Sequence, residues 1–166
     1  MRIGIIGTGK VGTGLAGIWT ANGHEVLLGA RNPEKVASEI AALGNKARAG
    51  TVREAAAFGE VVVLAVQFWN VQDALQNAGS LNGKILFSCV NALKQDYSGL
   101  ALGTTTSAAE EIAKLAPAAR VVSGLPPFAE LLHSAPALVA GEKGTLFVAG
   151  DDTEAKAIVR DLLAET

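Results

Sequence analysis

The feature that most constrains this chain is Gly7-Thr8-Gly9-Lys10-Val11-Gly12, set directly behind the apolar run 2–6 and ahead of a helical pattern. A GxGxxG match alone is weak, but a strand before it and a helix after it supply the context in which the spacing has a chemical meaning. Gly7 permits the sharp turn, Gly9 removes a side chain that would block a dinucleotide's diphosphate, and Gly12 lets the helix pack on the strand. The amide N–H groups that open the helix are then free to bind the diphosphate. The competing reading is a tight strand-to-helix turn in an ordinary α/β protein.

The second strand decides which dinucleotide. NAD-binding domains carry an acidic residue about 20 positions further on to hold the ribose hydroxyls, and positions 26–33 contain none. Instead Arg31 follows Gly12 by 19 positions, with Asn32 beside it and Lys35 one helical turn beyond. A guanidinium can grip a 2′-phosphate with two hydrogen bonds, which selects NADP. The alternative for Arg31 and Lys35 is a solvated loop and helix face. A methyltransferase's adenosyl cofactor is a weaker third reading, because that class too places an acid after the second strand.

Short β-rich runs alternate with helical patterns along the whole chain, as in βαβ units around a parallel sheet. Strands are expected at 2–6, 25–28, 47–49, 61–66, 84–88, 120–123 and 145–148. Most lack polar alternation, as strands buried on both faces should. Helix starts are signalled by Asn32 before Pro33, by the capping boxes Thr51 to Glu54 and Ser107 to Glu110, and by Asp152. The segment 94–106 reads as an irregular loop beyond a strand's carboxyl end. The expectation is one Rossmann-type α/β domain over 1–166, a doubly wound and mostly parallel sheet with helices on both faces.

Charged residues are 18% of the chain, below the roughly 25% of an average soluble protein, and the formal charge is -2 with no basic run. That leaves no electrostatic footprint for nucleic acid or an acidic membrane surface. Glycines at positions 4, 7, 9, 12, 14 and 17 interrupt the apolar start, and no run approaches the roughly 20 residues of a membrane span. Cys89 is the single cysteine, so no internal disulfide forms, and no His/Cys cluster has metal-ligand spacing. A cytoplasmic protein with a small-molecule partner is expected, with a homodimer left open.

The residues 7–12, the stretch Gly29-Ala30-Arg31-Asn32-Pro33 and the later segment 94–102 together resemble the coenzyme F420-dependent NADP oxidoreductase family. The resemblance covers nearly the whole chain. It implies hydride transfer between NADPH and a 5-deazaflavin, with a flavin or other small acceptor as variants; a related domain forms the NADPH-oxidising part of membrane ferrireductases. Carried over by position, it implies that Thr8, Gly9, Lys10 and Val11 hold the diphosphate, and that Ala30, Arg31 and Lys35 surround the adenosine phosphate. Val66 at the end of the fourth strand and Asn70 in the next turn would flank the cofactor, and Asn91 would lie near the nicotinamide.

Two departures support a second reading, a non-catalytic NADP-binding sensor or regulatory module. The chain ends at Thr166, where the family usually continues with a further strand and helical segment, and it reads Gly124-Leu125-Pro126-Pro127-Phe128 where the family often carries Asn or His. No catalytic side chain is assigned, since hydride transfer needs alignment of two carbons more than an acid or base. His24 and Cys89 read as structural. His133 reads as structural first, with an acceptor contact as the alternative. Phe68, Trp69, Pro126, Pro127 and Phe128 fall on loops beyond strand ends, where rings could stack on a flat acceptor, pack in the core or meet a second copy.

Overall fold

The computed structural model describes residues 1–124, 129–133, 138–139 and 141–166. The Pro126, Pro127 and Phe128 rings therefore lie outside the described residues. The chain runs β1 (Arg2–Ile6), α1 (Lys10–Ala21), β2 (Glu25–Ala30), α2 (Pro33–Ala41), β3 (Ala47–Thr51), α3 (Val52–Phe58) and β4 (Val61–Leu64). A short 3-10 turn over Phe68–Asn70 leads to α4 (Val71–Ala78), β5 (Ile85–Ser88), α5 (Ala108–Leu115), β6 (Arg120–Gly124) and α6 (Ala129–Leu132). The two-residue strands β7 (Leu138–Val139) and β8 (Glu142–Lys143), then β9 (Val148–Ala149) and α7 (Thr153–Ala164), complete it.

Seven strands form one sheet in the order β3-β2-β1-β4-β5-β6-β9. The first six are parallel, and β9 joins the edge antiparallel to β6. The order reverses between β1 and β4, the switch point at whose carboxyl end such sheets bind ligands. This is the expected Rossmann-type α/β architecture.

The sheet separates two apolar layers. Along β4, Val61 and Val63 pack with Leu15, Ala16 and Trp19 of α1, Ile40 of α2 and Val159 and Leu162 of α7. Val62 and Leu64 point the other way, into a layer with Ala56 of α3, Val71, Ala74 and Leu75 of α4 and Ile112 of α5. This strict period of two, with every residue of β4 and β5 buried, is why these strands read as unbroken apolar runs. Trp19, fully buried, donates its Nε1–H to the Leu162 carbonyl at 3.0 Å, which satisfies the indole and ties α1 to α7.

The signalled helix starts form as their chemistry requires. Thr51 and Ser107 each cap with a reciprocal bond from the Glu three residues on. The Thr51 N–H and hydroxyl hold the Glu54 carboxyl below the usual carboxylate range. Asp152 accepts from the Ala155 N–H at 2.8 Å. Asn32 precedes Pro33 at the start of α2 without a side-chain cap bond.

The strand bounds differ in instructive places. β2 and β3 each run two residues further than expected, because Gly29 and Ala30 pair with Gly50 and Thr51; ladder bonds hold small residues that propensity would leave out. β4 stops at Leu64, so Val66 lies two residues beyond the strand rather than at its end. At the far edge, only Val148 and Ala149 pair with β6. The run 145–148 therefore does not form a full strand, and Phe147 is 83% exposed. The β7–β8 pair is too short for any sequence period to reveal.

Candidate functional site

The glycine signature occupies the bend from β1 into α1, at the switch point, and its three glycines are there for different reasons. Gly7 has φ +118°, a left-handed backbone, and a Cβ on it would lie 2.3 Å from the Ala65 carbonyl oxygen. A Cβ on Gly12 would fall 2.1 Å from the Gly7 carbonyl oxygen. Both positions are demanded by the chain itself. Gly9 is not: its φ of -78° and ψ of -178° suit any residue, and among the described residues other than its two chain neighbours nothing lies within 4 Å of its missing Cβ. The space beside Gly9 is open toward the outside of the fold, where a bound diphosphate fits the glycine pattern.

Gly9 also caps α1 without any side-chain bond, and its carbonyl already accepts from the Thr13 N–H at 2.9 Å and the Thr13 hydroxyl at 3.1 Å. The amides that open α1 have no helical acceptor, and with the positive end of the helix dipole they favour an anion. Thr8 and Val11 are half-buried, while Lys10 is exposed beside Gly9. Val66 joins this group, since its Cγ1 would stand 3.2 Å from a Cβ on Gly7.

β2 runs beside β1 and ends at Ala30. Ala30 is buried, and Arg31 and Asn32 emerge exposed at the carboxyl end of the strand, with Lys35 exposed in the first turn of α2. The Arg31 guanidinium makes no hydrogen bond or ion pair among the described residues. By contrast Arg2, Arg120 and Arg160 all reach a carboxylate. An arginine with no carboxylate at this strand end is available to an external anion.

Across the switch point, Asn70 closes the 3-10 turn after β4, its N–H donating to the Gln67 carbonyl at 2.9 Å. Asn91 stands exposed three residues past β5. Thus Gly7 to Gly12, Ala30 to Lys35, Val66, Asn70 and Asn91 all lie at one edge of the sheet, beyond the carboxyl ends of β1, β2, β4 and β5. Val66 packs against the glycine bend at Gly7, and the Gly7 N–H donates to the Gly29 carbonyl of β2 at 3.2 Å.

Two features escaped the sequence reading. Tyr97, in the loop after β5, has φ +58°, a conformation costing an ordinary residue about 1–2 kcal/mol. Turn bonds hold it there: its N–H donates to the Lys94 carbonyl and Lys94 N–H to the Gly99 carbonyl, both at 3.0 Å. Its ring, 61% exposed, meets Trp69 edge to face with centroids 5.9 Å apart. The second feature is His133, whose Nε2 lies 2.9 Å from the Lys10 carbonyl oxygen. No local pattern could announce a contact across 123 positions.

His24 sits between the Met1 amine at 3.2 Å and Glu165 at 3.0 Å, at the opposite edge of the sheet. Cys89 is half-buried against the first apolar layer, and burial pushes its thiol above the ordinary range. Among the described residues, no group of three ligating side chains could hold a metal and no helix is long and apolar enough to cross a membrane.

Residues 2–92 match a family described as NADP oxidoreductase, coenzyme F420-dependent. Over 164 residues the chain is 30% identical to the metalloreductase STEAP3 of Rattus norvegicus; the match takes in 97% of this chain and 31% of that protein, so the chain spans under a third of this curated relative. Among solved structures, a candidate F420-dependent NADP-reductase from Arthrobacter sp. FB24 superposes with a TM-score of 0.87 at 34% identity, covering 99% of this chain and 80% of that one. The hypothetical protein SMa0349 of Sinorhizobium meliloti gives 0.83 at 26% identity, with the same coverage of 99% and 80%.

Proposed function

From the premise that this chain belongs to the coenzyme F420-dependent NADP oxidoreductase family, we propose that it transfers hydride between NADPH and a flat deazaflavin or flavin. The observation that carries the cofactor's place is Gly9, a glycine whose backbone and neighbours do not require one. In this reading Gly7 and Gly12 build the bend, and Thr8, Gly9, Lys10 and Val11 face the diphosphate. Ala30 lines the adenosine, and Arg31, Asn32 and Lys35 take the 2′-phosphate. Val66 and Asn70 flank the cofactor's middle, and Asn91 meets the nicotinamide half. Bound in this way, NADPH supplies the hydride; the chain binds and orients it.

The ring pair of Trp69 and Tyr97 supports a flat acceptor. It stands beyond β4 and β5, on the half of the edge away from Arg31, and an exposed aromatic ring held in a strained turn offers a preformed stacking surface. The test is loss of NADPH absorbance on mixing the protein with F420, with riboflavin and with a ferric chelate in turn. Oxidation with the two flat acceptors and not with the chelate alone supports the reading. NADPH binding without turnover on any of them replaces it with a sensor or regulatory module.

A further inference from the structure

α6 is seated on the first turns of α1. The contact is made at Gly14, where a Cβ would fall 2.6 Å from the Leu132 Cβ and 3.3 Å from the His133 Nε2. Leu132 is 3% exposed and belongs to the apolar layer shared by α1 and α7. Burial therefore anchors the end of α6, and His133, the next residue, is delivered to the Lys10 carbonyl at 2.9 Å. A carbonyl only accepts, so the imidazole donates from Nε2, as its Nε2–H tautomer or as the imidazolium.

The Lys10 carbonyl and the Val11 N–H belong to one peptide group, which is planar and rigid, with the two bonds pointing in opposite directions. The helix already directs this peptide, with the Lys10 carbonyl also 3.5 Å from the Thr13 hydroxyl; His133 is a further donor that holds the carbonyl and keeps the N–H aimed the other way, out of the start of α1. Donation to the carbonyl also polarises the peptide and strengthens its N–H as a donor. We propose that His133 is a positioning residue for cofactor binding: it orients the Lys10–Val11 peptide so that the Val11 amide meets the diphosphate. It thereby couples the chain after β6 to the glycine bend. The inference rests on the reading that this bend holds NADPH.

The experiment compares NADPH titrations of the wild type, His133→Leu and His133→Gln. Leucine keeps much of the volume and removes the donor; glutamine keeps an N–H donor. One lost hydrogen bond of ordinary strength corresponds to a rise in Kd of about three- to tenfold, expected for the Leu variant, with the Gln variant within about twofold of wild type on the same scale. In turnover, KM should follow Kd while kcat stays constant. The wild type gives a second measurement that no folding defect can spoil, because the chain has only two histidines. On adding NADPH, the imidazole nitrogen resonances of His133 should shift, while those of His24, bonded to Met1 and Glu165 at the opposite edge, should stay in place. If the wild type binds NADPH but both variants bind equally well, or His133 stays silent, His133 has no such role and the functional reading survives. If the wild type binds no NADPH, both fail together.

Discussion

Gly9→Val separates a ligand-driven glycine from a fold-driven one. The backbone at Gly9 is extended and valine adopts it freely. Apart from its two chain neighbours, no heavy atom of the described residues lies within 4 Å of the new Cβ. Losing glycine at a helix cap costs a few tenths to about 1 kcal/mol, and restricting the unfolded chain returns about 0.4–1 kcal/mol. The variant should therefore melt within about 4 °C of wild type. Binding responds differently. Diphosphate oxygens must come within about 2.7–2.9 Å of the amide nitrogens, and the new methyl groups stand in that gap. Losing two charge-assisted bonds of about 1.5–3 kcal/mol each predicts a loss of at least about 3 kcal/mol, on the order of a hundredfold in Kd for NADPH and NADH alike. Calorimetric titration beside a thermal melt reads both quantities. Gly12→Val is the contrast, since its Cβ would collide with the Gly7 carbonyl oxygen, and it should lower the melting temperature sharply. Wild-type NADPH affinity in Gly9→Val, or a melt as low as that of Gly12→Val, would refute the reasoning.

Three further outcomes are expected. Arg31→Asp should weaken NADPH at least about tenfold, the worth of one charge-assisted contact, and leave NADH nearly unchanged in paired titrations at fixed salt; a loss under about threefold would make Arg31 a solvated surface residue. Trp69→Ala should raise the KM for a flat acceptor by about three- to tenfold, the value of an aromatic contact, without moving the Kd for NADPH; equal KM values would remove Trp69 from the acceptor site. Because burial raises the Cys89 thiol's pKa, the neutral form persists as pH climbs through the ordinary thiol range. Iodoacetamide at mildly alkaline pH should then label the folded protein far more slowly than the unfolded chain, and equal rates would contradict the burial.

The architecture was legible because its strongest signals are local and periodic. Fully buried β4 and β5 announce themselves as apolar runs, and the caps at Thr51, Ser107 and Asp152 need only three or four residues to be recognised. What escaped depends on pairing between distant segments. Gly29 and Ala30 are strand residues only because β1 and β3 flank them, and the run 145–148 is mostly not a strand because it has little of a partner. The edge at the carboxyl ends of the strands followed the same rule. Its glycine bend and Arg31 were readable from spacing, whereas the His133 bond to Lys10 and the Trp69–Tyr97 ring pair are products of the tertiary fold.

The central claim is NADPH-dependent hydride transfer to a flat acceptor. An anaerobic mixing experiment with NADPH carrying deuterium at its transferable position tests it most directly. The account predicts that NADPH and F420 absorbance change together in one-to-one proportion and that the label appears on the reduced deazaflavin. NADPH that binds tightly yet keeps its deuterium before every flat acceptor would contradict it.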